Sequence, residues 1–249
     1  MPDEMIADYD VRSPASRTLL TVIGTLVSVG LLAAAILGIS VLMKDTETST
    51  SIIEMGDSAQ IVVNATTADI RVVEGADDVV KVTSRVTSGL RKTDFLLGRK
   101  ADEIKVISGC TTWLSPGCGV SLTLSVPKNI PIVVNTTSGD VTADALAQGV
   151  LTVATTSGDI KVGGLTVDEF SAETSSGDVN ASFAKQPFAV KALTKSGDIV
   201  ASVPTGDRTY AVMVESKSGD VESAIDSDDD GQGFVRATSD SGDIDLRTG

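Results

Sequence analysis

The sequence predicts an all-β fold: a single-handed parallel β-solenoid of about 19–23 residues per coil, preceded by one N-terminal transmembrane helix. Three observations predict it. A Ser-Gly-Asp tripeptide recurs six times, apolar and polar residues alternate on both sides of it, and 26 residues from Thr18 to Met43 carry no charge. Aromatic residues make up 3% of the 249, so Val, Ile, Ala and Thr, which favour strands, must fill the core.

The repeat is the strongest signal in the sequence. The glycines of the six tripeptides are spaced 19, 19, 20, 22 and 23 residues apart, and each aspartate is followed by Val or Ile. Such a period is typical of folds that stack one small unit on the next. The predicted turn residues are Gly139, Asp140, Gly158, Asp159, Gly177, Asp178, Gly197, Asp198, Gly219, Asp220, Gly242 and Asp243.

Apolar columns flank every turn. Seven residues before the glycines stand Ile132, Leu151, Phe170, Val190, Val212 and Val235. Positions −7, −5, −3, +2 and +4 share one face, which is the alternation of a strand. Two strands joined by the turn, plus a loop of variable length, therefore make one coil, and coils stack about 4.8 Å apart. Glycine permits the positive φ that the tight turn needs.

The aspartates of successive turns form a column of like charges, which would repel by roughly 1 kcal/mol per neighbour in water. Two interpretations answer this. Each carboxylate can accept hydrogen bonds from turn N–H groups or serine hydroxyls, or the column can bind cations. We predict the structural role, because calcium-binding β-rolls carry G-x-D twice per coil whereas Gly and Asp are adjacent here.

The charge-free stretch Thr18–Met43 would make a helix of about 39 Å, enough to span a bilayer. A cleaved signal peptide is the alternative, although its apolar core is typically about 7–15 residues. Arg12 and Arg17 favour an N-terminus inside the cell. The predicted organisation is a cytoplasmic tail over 1–17, a transmembrane helix over 18–43, a polar linker over 44–58 and an extracytoplasmic solenoid over 59–249, with its Ser-Gly-Asp coils over 131–249.

Cys110 and Cys118 bracket the segment CTTWLSPGC between two predicted strands. We expect a disulfide, which would contribute about 2.5 kcal/mol by closing this short loop. Two unlinked buried thiols in a cytoplasmic domain are the alternative. The chain has no histidine, and the cysteine spacing suits no zinc site.

The acidic segment DSDDDG, residues 226–231, matches the opening of a calcium-binding loop. Its twelfth position is Ala237, so the bidentate glutamate of such loops is missing. A solvated acidic loop is the main interpretation, and weak Ca²⁺ binding by Asp226, Asp228 and Asp230 is the alternative. We expect no other cofactor.

Composition argues against nucleic-acid binding and catalysis. Residues 138–249 hold 19 acidic and 8 basic residues, so they carry −11 of the net charge of −14 and lack a basic stripe for phosphates. Without histidine, and with one Trp and two Tyr, the chain is poorly equipped for acid–base chemistry or for lining sugar subsites. We predict that it is not an enzyme. A β-helix cleaving polysaccharide through paired aspartates is the remote alternative.

The first part of the predicted domain indicates an irregular start to the same stack. TTADI, residues 66–70, resembles a turn with Ala in place of Gly, and it is followed by a long insertion, the lead-in SVPKNIPIVV and the T-x-SGD-[VI] coils. In this order, residues 59–249 resemble the bacterial putative-adhesin family of β-strand-repeat domains, a family of unknown function. The resemblance implies a solenoid on the bacterial cell envelope and brings no catalytic residues; some members lie in envelope-stress loci.

These observations predict a membrane-anchored cell-envelope protein whose extracytoplasmic domain is a non-catalytic, adhesin-like binding or scaffold module. Its partner would be a protein or an envelope polymer. The alternative is an accessory or regulator of envelope-stress sensing that signals through residues 1–17. We also expect the last coil, with Ile244 and Leu246, to form an open edge that a partner strand completes.

Overall fold

The computed structural model describes residues 22–23, 25–32, 34, 45–56, 59–75, 79–88, 94–100, 103–109 and 119–249. Eighteen strands lie in this part of the chain, and the all-β class is confirmed. The strands are β1 Asp45–Glu54, β2 Gln60–Thr67, β3 Asp69–Glu74, β4 Val79–Ser88, β5 Asp94–Lys100, β6 Glu103–Gly109, β7 Gly119–Val126, β8 Ile132–Ser138, β9 Val141–Asp144, β10 Ala147–Ala154, β11 Ile160–Glu173, β12 Val179–Phe183, β13 Ala189–Ser196, β14 Ile199–Val203, β15 Tyr210–Ser216, β16 Val221–Ser223, β17 Gly233–Ser241 and β18 Ile244–Thr248.

The strands form two walls around one core. The first wall runs β1-β4-β7-β3-β9-β11-β12-β14-β18-β16, and the second runs β5-β6-β2-β8-β10-β11-β13-β17-β15. The long strand β11 belongs to both, because its first half pairs with β9 and β12 and its second half with β10 and β13. A strand of the second wall, its turn and the following strand of the first wall make one layer, named here by the residue at the centre of its turn.

The alternation of apolar residues places the core between the walls. Ile132, Leu151, Phe170, Val190 and Val235 are all 0–1% exposed, and they lie in register across neighbouring strands. The first wall contributes the same alternation after each turn, as in Ile160 and Ile199. Since burying one such side chain stabilises a fold by about 1.5–3 kcal/mol, these columns are the main source of its stability.

The predicted single-handed parallel solenoid is wrong in the direction of several strands. Three pairings are antiparallel, β1–β4, β4–β7 and β5–β6, so the sheet is mixed. Two residues separate β5 from β6, and a connection this short can join antiparallel strands but not parallel ones. Alternation of apolar residues is the same in both directions, which is why the sequence pattern did not distinguish them.

The order of the layers also differs from the order of the chain. The last layer, Gly242, lies between the Gly197 and Gly219 layers, because β17 pairs with both β13 and β15, and β18 pairs with both β14 and β16. At the other end the Ala68 layer, formed by β2 and β3, likewise lies between β6–β7 and β8–β9. The expected open edge at Ile244 and Leu246 is therefore wrong, since both are 1% exposed.

The longer repeats explain how the chain skips a layer. The loops 204–209 and 224–232 precede and follow the Gly219 layer, and they belong to the repeats with the 22- and 23-residue spacings. The loop 204–209 must pass across one additional layer, a step of about 4.8 Å, whereas the loop 224–232 returns to the skipped layer, which is the direct neighbour of the Gly219 layer.

The N-terminal part of the predicted organisation is corrected as well. A membrane-spanning helix takes about 20 residues, and no helix in the described residues is long and apolar enough to cross a membrane. The transmembrane helix predicted over Thr18–Met43 is therefore not found. Within the expected linker 44–58, the chain forms β1, a ten-residue strand paired along its whole length with β4.

Candidate functional site

The Ser-Gly-Asp turns stack into a column in which the backbones almost touch. Gly177 has φ +144, and a Cβ added to it would lie 2.1 Å from the carbonyl oxygen of Gly158 in the neighbouring layer. The expected turn of residues 66–70 joins the same column: the Ala68 N–H donates to the Ser138 carbonyl at 3.0 Å. That prediction is confirmed.

The aspartates of the column are linked by hydrogen bonds. In every layer of the column except the Gly219 layer, the carboxylate Oδ1 accepts the backbone N–H of the aspartate in the next layer, at 2.8–3.2 Å. The order of the ladder is Asp69, Asp140, Asp159, Asp178, Asp198, Asp243 and Asp220. A charge-assisted bond on each of these carboxylates except that of Asp220 offsets the repulsion between neighbouring charges.

Buried hydroxyl groups form a second ladder beside the glycines. Thr174 and Thr194 donate to the carbonyls of Gly158 and Gly177, and Ser239 and Ser216 do the same further along the stack, at 2.8–3.3 Å. Thr136 bonds within its own turn, to the Ser138 carbonyl. The turn column is therefore held by backbone, carboxylate and hydroxyl bonds at once, and it is rigid rather than a cleft for chemistry.

Asp178 tests the carboxylate ladder. Replacing Asp178 by alanine is expected to lower the free energy of unfolding by about 1–2 kcal/mol, because the Asp198 N–H loses its acceptor at 2.9 Å. Asp178→Asn keeps an acceptor oxygen and relieves repulsion, so its effect should be close to zero. Urea denaturation measures both. Asp220→Ala is the matched control, since no described group donates to the Asp220 carboxylate; equal losses at Asp178 and Asp220 would contradict the ladder.

Lys161 modifies one position of the ladder. Its Nζ donates to Asp159 Oδ2 at 2.7 Å, and this bond, followed by the one from the Asp178 N–H, holds the pKa of Asp159 below its usual value. A carboxyl whose pKa is lowered on folding stabilises the fold above its unfolded pKa, and that contribution is lost as the pH falls through the lowered pKa.

This pairing predicts a small pH effect. Lys161→Met should reduce the drop in unfolding free energy between pH 7 and about pH 3, because the pKa of Asp159 moves back toward its unfolded value. Low-salt denaturation curves at both pH values measure the drop. Lys191→Met is the control, since no ion pair of Lys191 is found among the described residues. A drop unchanged in Lys161→Met relative to the unsubstituted chain would contradict this account.

The acidic loop lies against an edge of the sheet. The Asp228 N–H donates to the Tyr210 carbonyl at 2.8 Å, and Ser227 Oγ accepts the Val212 N–H at 3.2 Å, so the loop covers the first part of β15. Asp228 Oδ1 accepts the Asp230 N–H at 3.1 Å. Asp226, Asp228 and Asp230 are exposed, and no group of three potential metal ligands is found within the described ranges. Calcium binding stays a prediction.

The disulfide prediction falls on residues that the structure leaves undescribed. Cys110 and Cys118 lie between the end of β6 at Gly109 and the start of β7 at Gly119, outside the described residues. Their pairing stays a prediction.

The Gly219 layer, β15 and β16, is the open end of the stack. β15 pairs with β17 and β16 with β18, and apart from the bridge between Tyr210 and Ser227 no described strand pairs with their outer edges. Val221 is 47% exposed, whereas its equivalents Ile199 and Ile244 are 0–1% exposed. Sequence reasoning missed this site, because nothing in the repeat marks which layer lies outermost; the signal available was the pair of longer loops.

A family model, Toastrack DUF4097, matches residues 131–248, which include all six Ser-Gly-Asp turns. Residues 131–248 are a Toastrack domain. The resemblance drawn from the SVPKNIPIVV lead-in and the repeated turns is thereby confirmed. Residues 59–74 extend the toastrack turn column by one layer, the Ala68 layer.

Two solved structures are similar to this chain. One, described as a putative cell adhesion protein from Clostridium sporogenes, has a TM-score of 0.50 at 10% identity and covers 82% of this chain and 100% of its own. A second, described as a putative adhesin from Bacteroides fragilis, has a TM-score of 0.46 at 13% identity, with 80% and 97% covered. No curated protein matches the chain. At 10% identity, the likeness to the first structure shows a shared fold and nothing further.

Proposed function

We propose that this chain is a non-catalytic, adhesin-like binding or scaffold module that works outside the cytoplasm, in the bacterial cell envelope. The observation that carries the proposal is the open end: a rigid stack presents an unpaired sheet edge with partly uncovered apolar residues. Exposed edges of this kind bind other chains unless they are protected.

Two further observations support a binding role. The solved structure from Clostridium sporogenes, which shares the fold, is described as a putative cell adhesion protein. Within the described residues, the groups whose pKa is clearly shifted belong to surface ion pairs, apart from the buried phenol of Tyr210, rather than to an acid–base pair in a cleft. The acidic surface of residues 138–249 argues for a protein or envelope polymer as partner, not a nucleic acid.

The test is binding of the purified full chain to isolated bacterial cell envelopes, separated into protein and polymer fractions. We expect saturable binding to at least one fraction, unchanged by a calcium chelator and with no release of sugar or other product. Absence of saturable binding from every fraction, or turnover of envelope polymer, would contradict the proposal. Bovine albumin of similar net charge is the control for non-specific adsorption.

A further inference from the structure

We propose that the open end binds an extended, basic segment of another protein, which adds one more layer to the stack on the outer edges of β15 and β16. The inference rests on the proposed binding function and names the partner chemistry. It follows from three properties of the Gly219 layer: its unpaired hydrogen-bonding groups, its uncovered apolar side chains and its charge.

The unpaired groups are those that bind a neighbour in every interior layer. In parallel strands, alternate residues direct both their N–H and C=O groups to the same side. The Val212 N–H points to Ser227 and not to β17. The backbone N–H and C=O groups of Val214 and Ser216 therefore point outward as well. At β16 the Asp220 carbonyl accepts the Ile244 N–H, and the Ala224 N–H donates to the Leu246 carbonyl, so residues 220 and 224 bond to β18. The backbone N–H and C=O groups of Val221 and Ser223 therefore point outward.

The turn of this layer repeats the pattern. Elsewhere in the column each turn glycine donates its N–H to a serine carbonyl of the next layer, as Gly177 does to Ser196 at 3.0 Å and Gly242 to Ser218 at 3.0 Å. The Gly219 N–H and the Asp220 carboxylate have no such partner among the described residues. An added backbone would satisfy both groups, by offering one carbonyl and one N–H.

The apolar side chains provide the second argument. Val221 on β16 is 47% exposed, and Met213 on β15, in the other wall of the same layer, is 59% exposed. Val212 and Val214 are partly buried, whereas Val190 and Val235, the equivalents of Val212 in interior layers, are 1% exposed. An added layer would cover this surface with the alternating side chains of a strand.

Charge selects the partner. Residues 210–232, which form the outermost layer and its loop, contain seven acidic residues and one basic residue, Lys217. Lys217 is paired with Asp240 at 2.6 Å. A segment rich in Lys or Arg is therefore attracted, and an acidic one is repelled. Two copies of this chain facing each other end to end would bring Asp220 and Glu222 against the same carboxylates, which disfavours a second copy.

The acidic loop limits where the segment binds. Ser227 and Asp228 already occupy the edge at Tyr210 and Val212. The free edge therefore runs from Val214 through the turn to Ser223, about ten residues. The loop shortens the unprotected edge and leaves its central part available, next to the Asp220 carboxylate.

The probe is a labelled peptide that copies residues 189–203 of this chain, AVKALTKSGDIVASV, because this segment already forms a layer in the stack and carries two lysines. Fluorescence anisotropy with the full chain measures its affinity. We expect saturable binding, and binding at least about tenfold weaker for the same peptide with both lysines replaced by glutamate.

Two variants of the chain locate the site. Val214→Pro removes an outward N–H without breaking a bond to β17, and Asp220→Ala removes the free carboxylate; each should weaken peptide binding at least about tenfold. Asp220→Ala should leave the unfolding midpoint unchanged, which separates lost binding from misfolding. Glu54→Ala, the same loss of charge on exposed β1 at the opposite end of the stack, is the control and should bind the peptide normally.

Four results would overturn the inference. The first three are no binding of the peptide, binding by Asp220→Ala and Val214→Pro as tight as by the unsubstituted chain, and binding of the glutamate peptide as tight as that of the lysine peptide. The fourth is self-association of the chain that Val214→Pro abolishes, which would assign the open end to a second copy. Envelope binding that persists in Val214→Pro and Asp220→Ala would refute this site while leaving the proposed function intact. Loss of all envelope binding by the unsubstituted chain would instead refute the function.

Discussion

Replacing Gly177 by alanine is expected to lower the free energy of unfolding by about 3–5 kcal/mol. Two effects combine. The residue has φ +144, a conformation that side chains rarely adopt, and the new Cβ would lie 2.1 Å from the Gly158 carbonyl oxygen. Moving the two layers apart would break the bonds between them, such as the one from the Thr174 hydroxyl to the Gly158 carbonyl at 3.3 Å.

Equilibrium denaturation by urea measures this loss. Gly149→Ala is the matched control, since it is a glycine within β10 that has no atom within 4 Å of an added Cβ. We expect its effect to stay within about 0.5 kcal/mol. If Gly177→Ala were as mild as Gly149→Ala, the turns would not stack as closely as described.

The second large effect is expected at Phe170, the largest fully buried side chain of the core at 1% exposure. Phe170→Ala should cost about 3–5 kcal/mol of unfolding free energy, because it leaves a cavity between rigid walls. Its ring packs edge-on against Phe183, with centroids 5.6 Å apart and planes at 72°. Leu151 and Val190 lie in register on either side.

Thermal and urea unfolding of the same variant test this. Phe234→Ala is the control, because Phe234 lies two layers away in the same wall and is 49% exposed. Its loss should be below about 1 kcal/mol. Similar losses at both positions would indicate that Phe170 does not lie in the core.

Sequence reasoning found the elements of this fold because each has a local cause. Short stretches of sequence are enough to recognise these causes: a glycine that must adopt positive φ, an apolar residue at every second position, and an aspartate after each glycine. The turn at Ala68 was found by the same reasoning, although alanine replaces glycine there. In this pair of layers the glycine is needed at Gly139, where an added Cβ would lie 2.1 Å from the Ala68 carbonyl oxygen.

The arrangement of the layers was not predictable in the same way. All six turns carry nearly the same residues, so any layer can bond to any other, and local patterns do not select the neighbour. The antiparallel strands β1, β4 and β5 were missed for a related reason, since alternation carries no direction. For β1 the polar composition of Asp45–Ser51 indicated a linker, whereas the strand is an edge strand and most of its side chains are exposed.

The layer order determines the candidate site. Had the layers followed the chain, Ile244 and Leu246 would be the exposed residues, and the acidic loop would lie inside the stack. With the Gly242 layer inserted, the end of the chain is bonded on both sides and the Gly219 layer becomes the binding edge. The identity of the outermost layer is therefore the point on which both the location of the candidate site and the partner chemistry depend.

Methyl nuclear Overhauser effects between Ile199, Ile244 and Val221 test this point most directly. In the structure Ile244 lies in register with Ile199 on one side and with Val221 on the other. The account predicts strong effects for Ile199–Ile244 and Ile244–Val221, and none for Ile199–Val221. A direct Ile199–Val221 effect, with Ile244 in contact with Val221 alone, would show that the layers follow the chain and would contradict the account.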